Sequence, residues 1–391
     1  MTVLARRQWP SRSRPLLALT ATLVVVLGGG GCAVAAATDG ESAHTDPVAA
    51  ATAAGQAFLD DYVDVDGRVV RRDEGGDTVS EGQAYALLIA VALGDRQRFD
   101  AVWTWTREHL RRADGLLSWR WTHGAVVDTN SAGDADLDTA RALVLAGERF
   151  ADPELSAAGG TLAASVLTGE TVRVGTALHP TAPTPPAGAA IEGSGLVLTG
   201  GSWTATSPAT VNPSYFSPRS EQLMGSVSGD PRWAELSRTQ RAVGWQLVGT
   251  GLLPPDWTAV DAAGTATAQP DPAGRPPRFG LDAARLPVRM AESCDPADRA
   301  LAAELLPALD RPDASVVAGY ALDGAPLVEW THPVALVAVA AAAEAAGREQ
   351  QSDDRLRAAT ELNFREPTYY GSAWVALGRI LLDTDLLGGC R

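Results

Sequence analysis

From about Gln56 to the C-terminus, apolar residues recur with the 3.6-residue spacing of helices that bury one face. The repeat predicts helices over residues 81–93, 97–110, 135–150, 153–167, 214–227, 230–248, 282–292, 297–308, 331–347 and 370–383. No βαβ rhythm interrupts them, so the expected fold is all-α. Two segments break the repeat. Residues 171–212 are rich in Pro, Gly and Thr, and "GLVLTGGSW" (195–203) reads as a small β-hairpin insertion. Residues 254–280 are similarly rich in Pro and Gly. The helical pattern does not restart as a separate unit after either one, so both read as long loops of a single domain and as places for function.

The pattern changes character at the N-terminus. Arg6, Arg7, Arg12 and Arg14 precede the apolar run "LLALTATLVVVL" (16–27), which is shorter than the roughly 20 residues a membrane-spanning helix needs. This is the layout of an export signal over residues 1–35. Cleavage after Ala35 releases a soluble protein; cleavage before Cys32 leaves a lipid anchor there, although Gly29 stands where a lipobox normally has leucine. Residues 36–55 read as a flexible linker, and residues 56–391 as the domain. The expected location is secreted or otherwise outside the cytoplasm, soluble or anchored.

A formal charge of -15 argues against nucleic acid as a partner, and losing the four leader arginines takes it to about -19. The chain has no lysine, which excludes P-loop, Schiff-base and Ser-Lys chemistry. No CxxC, HExxH or G-x-S-x-G occurs among its 3 cysteines and 5 histidines, so neither a metal nor any other cofactor is expected. Setting Cys32 aside, Cys294 and Cys390 form an even pair, open to a disulfide or to two buried thiols.

Carboxylates at helix starts carry the remaining signal. Ser80 and Gln83 have the spacing of a capping box, with Glu81 in the first turn, but Gly82 costs helix propensity for no local gain. "TNSAGDADLDTARALVLAGERF" (129–150) crowds Asp134, Asp136 and Asp138 where one N-cap suffices. In "RFGLDAARLPVRMA" (278–291), Asp282 opens a further helix and pairs, on the plain reading, with Arg285 one turn on. Of 11 tryptophans, Trp119, Trp121, Trp203 and Trp257 fall in loops beside these acids. Singly each reads as a core plug; together they read as platforms for sugar rings. Paired carboxylates with aromatic platforms suit glycoside hydrolysis.

At these residues the chain resembles glycoside hydrolase family 8. The matching stretches, in the family's order over nearly the whole mature chain, are "DGRV", "TVSEGQAYALLIAVALGDRQRFDAVWTW", "DGLLSWRW", "NSAGDADLDTARALVLA", "NPSYFSP", "LLPPDW", "FGLDAARLPVRMA" and "GSAWVALG". The likeness is strongest to cellulases that accompany bacterial cellulose-synthesis machinery. It implies an (α/α)6 barrel with a substrate groove and an inverting mechanism. By motif, Glu81 matches the general acid, Asp282 the general base, and Asp134 a carboxylate at the sugar beside the cleaved bond. Tyr215 and Arg285 match positioning groups, while Trp119, Trp121, Trp257 and Asp136 are the further expected substrate contacts. Gly133 and Thr139 depart from the usual Ser/Thr and aliphatic residue at their places.

The expected activity is that of an endo-β-1,4-glucanase on a β-glucan. Chitosan and xylan are rival substrates, and a non-catalytic glucan-binding role in polysaccharide export is the rival class; retention of all three carboxylates speaks against the latter. If Glu81 is the acid, burial under a sugar and the charge of Asp134 are expected to offset the helix dipole.

Overall fold

The structure, a computed structural model, describes residues 46–175, 193–248 and 253–390. Its helices are α1 (Pro47–Tyr62), α2 (Ser80–Leu93), α3 (Arg96–His109), α4 (Gly133–Arg149), α5 (Pro153–Gly169), α6 (Pro218–Ser228) and α7 (Arg232–Val248). There follow α8 (Leu286–Ala291), α9 (Pro296–Glu304), α10 (Leu306–Leu309), α11 (Pro333–Ala345), α12 (Glu349–Arg365) and α13 (Tyr369–Asp383). Helices α2, α4, α6, α8, α11 and α13 form an inner ring, each touching the next and α13 returning to α2. Around it pack α3 on α2, α5 on α4, α7 on α6, α9 on α8, α12 on α11 and α1 on α13. This is the (α/α)6 barrel.

Sequence marks some helices of each layer. The inner helices α2 and α11 are apolar or small nearly all round, as in "PVALVAVAAAAEA" of α11, where every residue from Pro333 to Ala343 is buried. The outer helix α12, "EQQSDDRLRAATELNFR", buries only Ser352, Leu356 and Ala359. That polar surface hides its periodicity, and no helix is expected there from the sequence. Helix α1 corrects a second expectation, because residues 47–55, read as linker, belong to it. Asp46 caps it, Pro47 starts it, and Ala51, Gly55, Phe58, Leu59 and Tyr62 pack it against the barrel. The leader over 1–35, Cys32 and the first part of the linker lie outside the described residues.

Short strands decorate one end. β1 (Thr78–Val79), β2 (Arg120–Thr122) and β3 (Ala125–Asp128) form one antiparallel sheet. β4 (Thr171–Gly175) pairs with β5 (Ser194–Leu198), while β6 (Ala209–Val211), β7 (Thr258–Val260) and β8 (Ala266–Ala268) make a third sheet. The expected hairpin within 195–203 is therefore corrected. The buried run of β5 pairs with β4, in register Thr171↔Leu198, and the chain from Gly200 turns away into a 3₁₀ turn at Ser202–Thr204.

Cys294 and Cys390 are joined by a disulfide with Cα atoms 5.2 Å apart, fixing the C-terminal segment beyond the end of α8. Arg219 donates to the carbonyls of Gly388 and Gly389 on the same segment. Between α4 and the Ala283–Arg285 turn with α8 runs a ladder of buried ion pairs: Asp134 with Arg285, Asp138 with Arg289, and Arg141 with Glu292. Its top rung faces the site.

Candidate active site

The N-terminal ends of α2 and α4 and the turn before α8 converge on a groove of about 640 Å³. Neither α2 nor α4 has a side-chain cap, its N-cap being Val79 or Ala132, so the expected capping box at Ser80 does not form. Gln83 instead reaches inward. Its Oε1 accepts from the Val69 N–H at 2.6 Å and its Nε2 donates to Thr106 Oγ1 at 2.8 Å, locking α2 to α3 and the preceding loop. Gly82 is explained by a close approach, since a Cβ there would stand 2.6 Å from the Tyr369 hydroxyl of α13.

Arg285 is the hub. Its guanidinium is buried, and Nη1 donates to Glu81 Oε1 at 2.8 Å and to Asp134 Oδ2 at 2.7 Å. Tyr85, one helical turn after Glu81, bonds both Glu81 Oε1 and Arg285 Nη1. The other end of the guanidinium faces Asp282, with Nη2 3.6 Å from Oδ1. Asp282 also accepts from Asn212 Nδ2 at 3.2 Å, and its side chain is 41% exposed, open to the groove. Asp134, by contrast, is 3% exposed, behind the wall. One arginine thus ties a pair of carboxylates from α2 and α4 and leaves a third facing space.

The protonation balance follows from these surroundings. Burial, then the charge of Glu81, holds Asp134 well above the usual carboxylate range, with Arg285 opposing. Asp282 is pushed up to about 6, first by loss of solvation, with Arg285 opposing and the charges of Asp256 and Glu81 adding to the rise. Burial works against the charge on Arg285, yet Tyr370, Tyr85, Asp134 and Glu81 together hold its pKa well above the ordinary value. Asp256 of "PPDW" accepts from the N–H groups of Gly280 and Ala283, which fixes the turn that carries Asp282.

Tyr215, Trp119 and Trp257 line the groove as expected, with Arg285 5.3 Å over the Tyr215 ring. Two expected contacts do not. Trp121 packs edge-on to Trp105 at 5.4 Å, under the Arg68 guanidinium, in a separate cluster. Asp136 is fully buried, accepting from the Leu117 N–H at 3.0 Å beside Glu170. The sequence reading missed Tyr85 and Asn212 as site residues. Tyr85 stands on the face of Glu81 at the i,i+4 spacing, and Asn212 opens the quoted "NPSYFSP". Gly133 admits the Thr199 carbonyl, which a Cβ would meet at 2.8 Å, and the Thr139 hydroxyl is buried with no hydrogen-bond partner.

Carboxylates ringed by aromatic side chains in a groove at the end of an (α/α)6 barrel are the equipment of a glycoside hydrolase. Comparison with known proteins gives the same class. Residues 38–183 match the model of the glycosyl hydrolases family 8. The chain is 34% identical over 267 residues to a probable endoglucanase of Novacetimonas hansenii, covering 66% of this chain and 71% of that one. It is 29% identical over 252 residues to an endoglucanase of Cellulomonas uda, covering 62% and 64%. Among solved structures, the endo-beta-1,4-glucanase CMCax from Acetobacter xylinum superposes with a TM-score of 0.67 at 27% identity, covering 85% of this chain and 98% of that one. The chain belongs to glycosyl hydrolase family 8.

Proposed function

We propose that the protein is an exported endo-β-1,4-glucanase that cleaves internal bonds of a β-glucan with inversion. The observation that carries the reading is the asymmetry around Arg285: Glu81 and Asp134 share one nitrogen, while Asp282 stands on the other side, open to the groove. A proton held between Glu81 and Asp134 is delivered through Glu81 to the glycosidic oxygen as the bond to the anomeric carbon breaks. Asp282 takes a proton from a water that attacks that carbon from the opposite face. Asp134 remains as a buried negative charge behind the groove wall, which favours the cationic sugar from there. Water's hydroxyl ends on the sugar and its proton on Asp282, and exchange with solvent resets both carboxyls.

The relatives named as endoglucanases support β-1,4-glucan as substrate. The groove is lined by Asp73, Glu74, Glu81, Asp128 and Asp282 against Arg71, Arg275 and Arg285, an acidic balance that keeps cationic chitosan as the rival substrate. Export rests on the sequence of residues 1–35. Side-by-side hydrolysis of carboxymethylcellulose, barley β-glucan, chitosan and xylan, with Glu81→Gln as control, tests the proposal. Cleavage of the two glucans, lost in the variant, is expected; cleavage of chitosan or xylan alone, or full activity of Glu81→Gln, overturns it.

A further inference from the structure

The aromatic side chains of the groove form a row that runs past the carboxylates and out onto the surface. From one end, Trp203 packs on Trp257 with ring centroids 6.4 Å apart, Trp257 on Tyr215 at 6.1 Å, and Tyr215 lies under Arg285. Beyond Arg285 and Asp282, the Tyr370 hydroxyl donates to the Leu281 carbonyl at 3.2 Å. His332 stands 5.9 Å from the Tyr370 ring, and Trp330 stands 6.2 Å from His332. The residues from Trp203 to His332 line the groove, and Trp330 continues them outside it.

Exposure singles out the two ends. The middle of the row is buried or partly buried, whereas Trp203 is 42% and Trp330 54% exposed. A large apolar face of this kind gains by finding a cover. Trp203 has one in the groove it lines. Trp330 has no such place, yet its backbone is held firmly: its carbonyl accepts from Ala318 N–H, and Thr331 Oγ1 donates to the Val316 carbonyl. The ring is presented by a fixed segment. Burial keeps His332 neutral, with its pKa pushed down to about 4, so the step from Tyr370 to Trp330 carries no positive charge.

We infer that Trp330 is an outer sugar-stacking platform, which holds a neutral glucan chain after it leaves the groove past His332. The inference rests on the proposed β-glucan reading and extends it to chain length: Trp330 makes the enzyme prefer long polymers over short oligosaccharides. Continuity with the groove selects this occupant over a protein partner, because the next ring inward already lines the substrate path.

The test measures kcat/KM on barley β-glucan and on cellotetraose for the wild type, Trp330→Ala, Trp330→Phe and Phe364→Ala. Phe364 is 87% exposed on α12 and outside the row, so its variant controls for loss of any exposed aromatic. In Trp330→Ala the ratio of polymer to tetraose kcat/KM is expected to fall about five- to tenfold, and Trp330→Phe to recover most of it. Phe364→Ala is expected to keep the wild-type ratio. An unchanged ratio in Trp330→Ala, or an equal loss on both substrates, overturns the inference while leaving the glucanase reading intact. A wild type that cleaves neither glucan overturns both.

Discussion

Replacing Arg285 by glutamine removes the charge that three carboxylates share, while keeping a polar side chain in the space. Asp134 then has to ionise without its cation, 3% exposed and next to Glu81. Breaking a buried pair in this way typically costs about 3–5 kcal/mol. The pH dependence has a definite sign. Asp134 already sits above its unfolded value, chiefly through burial, so the stability it contributes is full below the unfolded pKa and is lost as pH rises through the folded one. Arg285 is what opposes that rise, so its removal moves the folded pKa higher and the deficit of Arg285→Gln grows with pH. Urea unfolding is expected to show about 3–5 kcal/mol lost near pH 8 and at least about 1 kcal/mol less than that near pH 5. Arg285→Lys keeps a charge, and with it most of the stability. A single ammonium cannot span Glu81, Asp134 and Asp282 as the fork does, so activity is expected to fall about 10²-fold. Arg285→Gln as stable as wild type near pH 8, or weaker near pH 5 than near pH 8, refutes the reasoning.

Three further outcomes follow from the same contacts. The acid limb of kcat/KM on glucan is expected at pH about 6, where Asp282 ionises, and Asp256→Asn is expected to move it lower by removing a neighbouring charge; an unmoved limb contradicts this. Thr139→Val is expected to gain about 1–2 kcal/mol in urea unfolding, because it deletes a buried hydroxyl with no partner; a loss contradicts that. Gly82→Ala is expected to lose about 1–3 kcal/mol, since its Cβ meets the Tyr369 hydroxyl at 2.6 Å; unchanged stability speaks against so tight an approach.

Helices α2, α11 and α13 were legible because each is a long, nearly unbroken run of apolar and small residues. Helix α12 was not, since it buries only three residues beneath a charged surface. Within the site, the carboxylates announced themselves by crowding at helix starts, but what gathers them did not. Glu81 and Arg285 are 204 residues apart, and no local pattern encodes that one guanidinium joins them. Asp136 shows where the local pattern was readable and went unused: two residues after Asp134 on a helix it faces away, and it is found buried on the other side. Trp121 is the opposite case. It lies two residues beyond Trp119, as same-face neighbours on a strand do, but the register shifts between Arg120 and Trp121 and turns the second ring into its own cluster.

In the proposed mechanism Glu81 serves the leaving oxygen and Asp282 the water, and that division of roles fixes the stereochemistry of the product. Proton NMR of soluble β-glucan hydrolysis, followed from the first minutes before mutarotation scrambles the ends, reads it directly. With inversion, the new reducing ends appear first as the α-anomer. First appearance of the β-anomer contradicts it, and transfers the attacking role from a water activated by Asp282 to the carboxylate of Asp134.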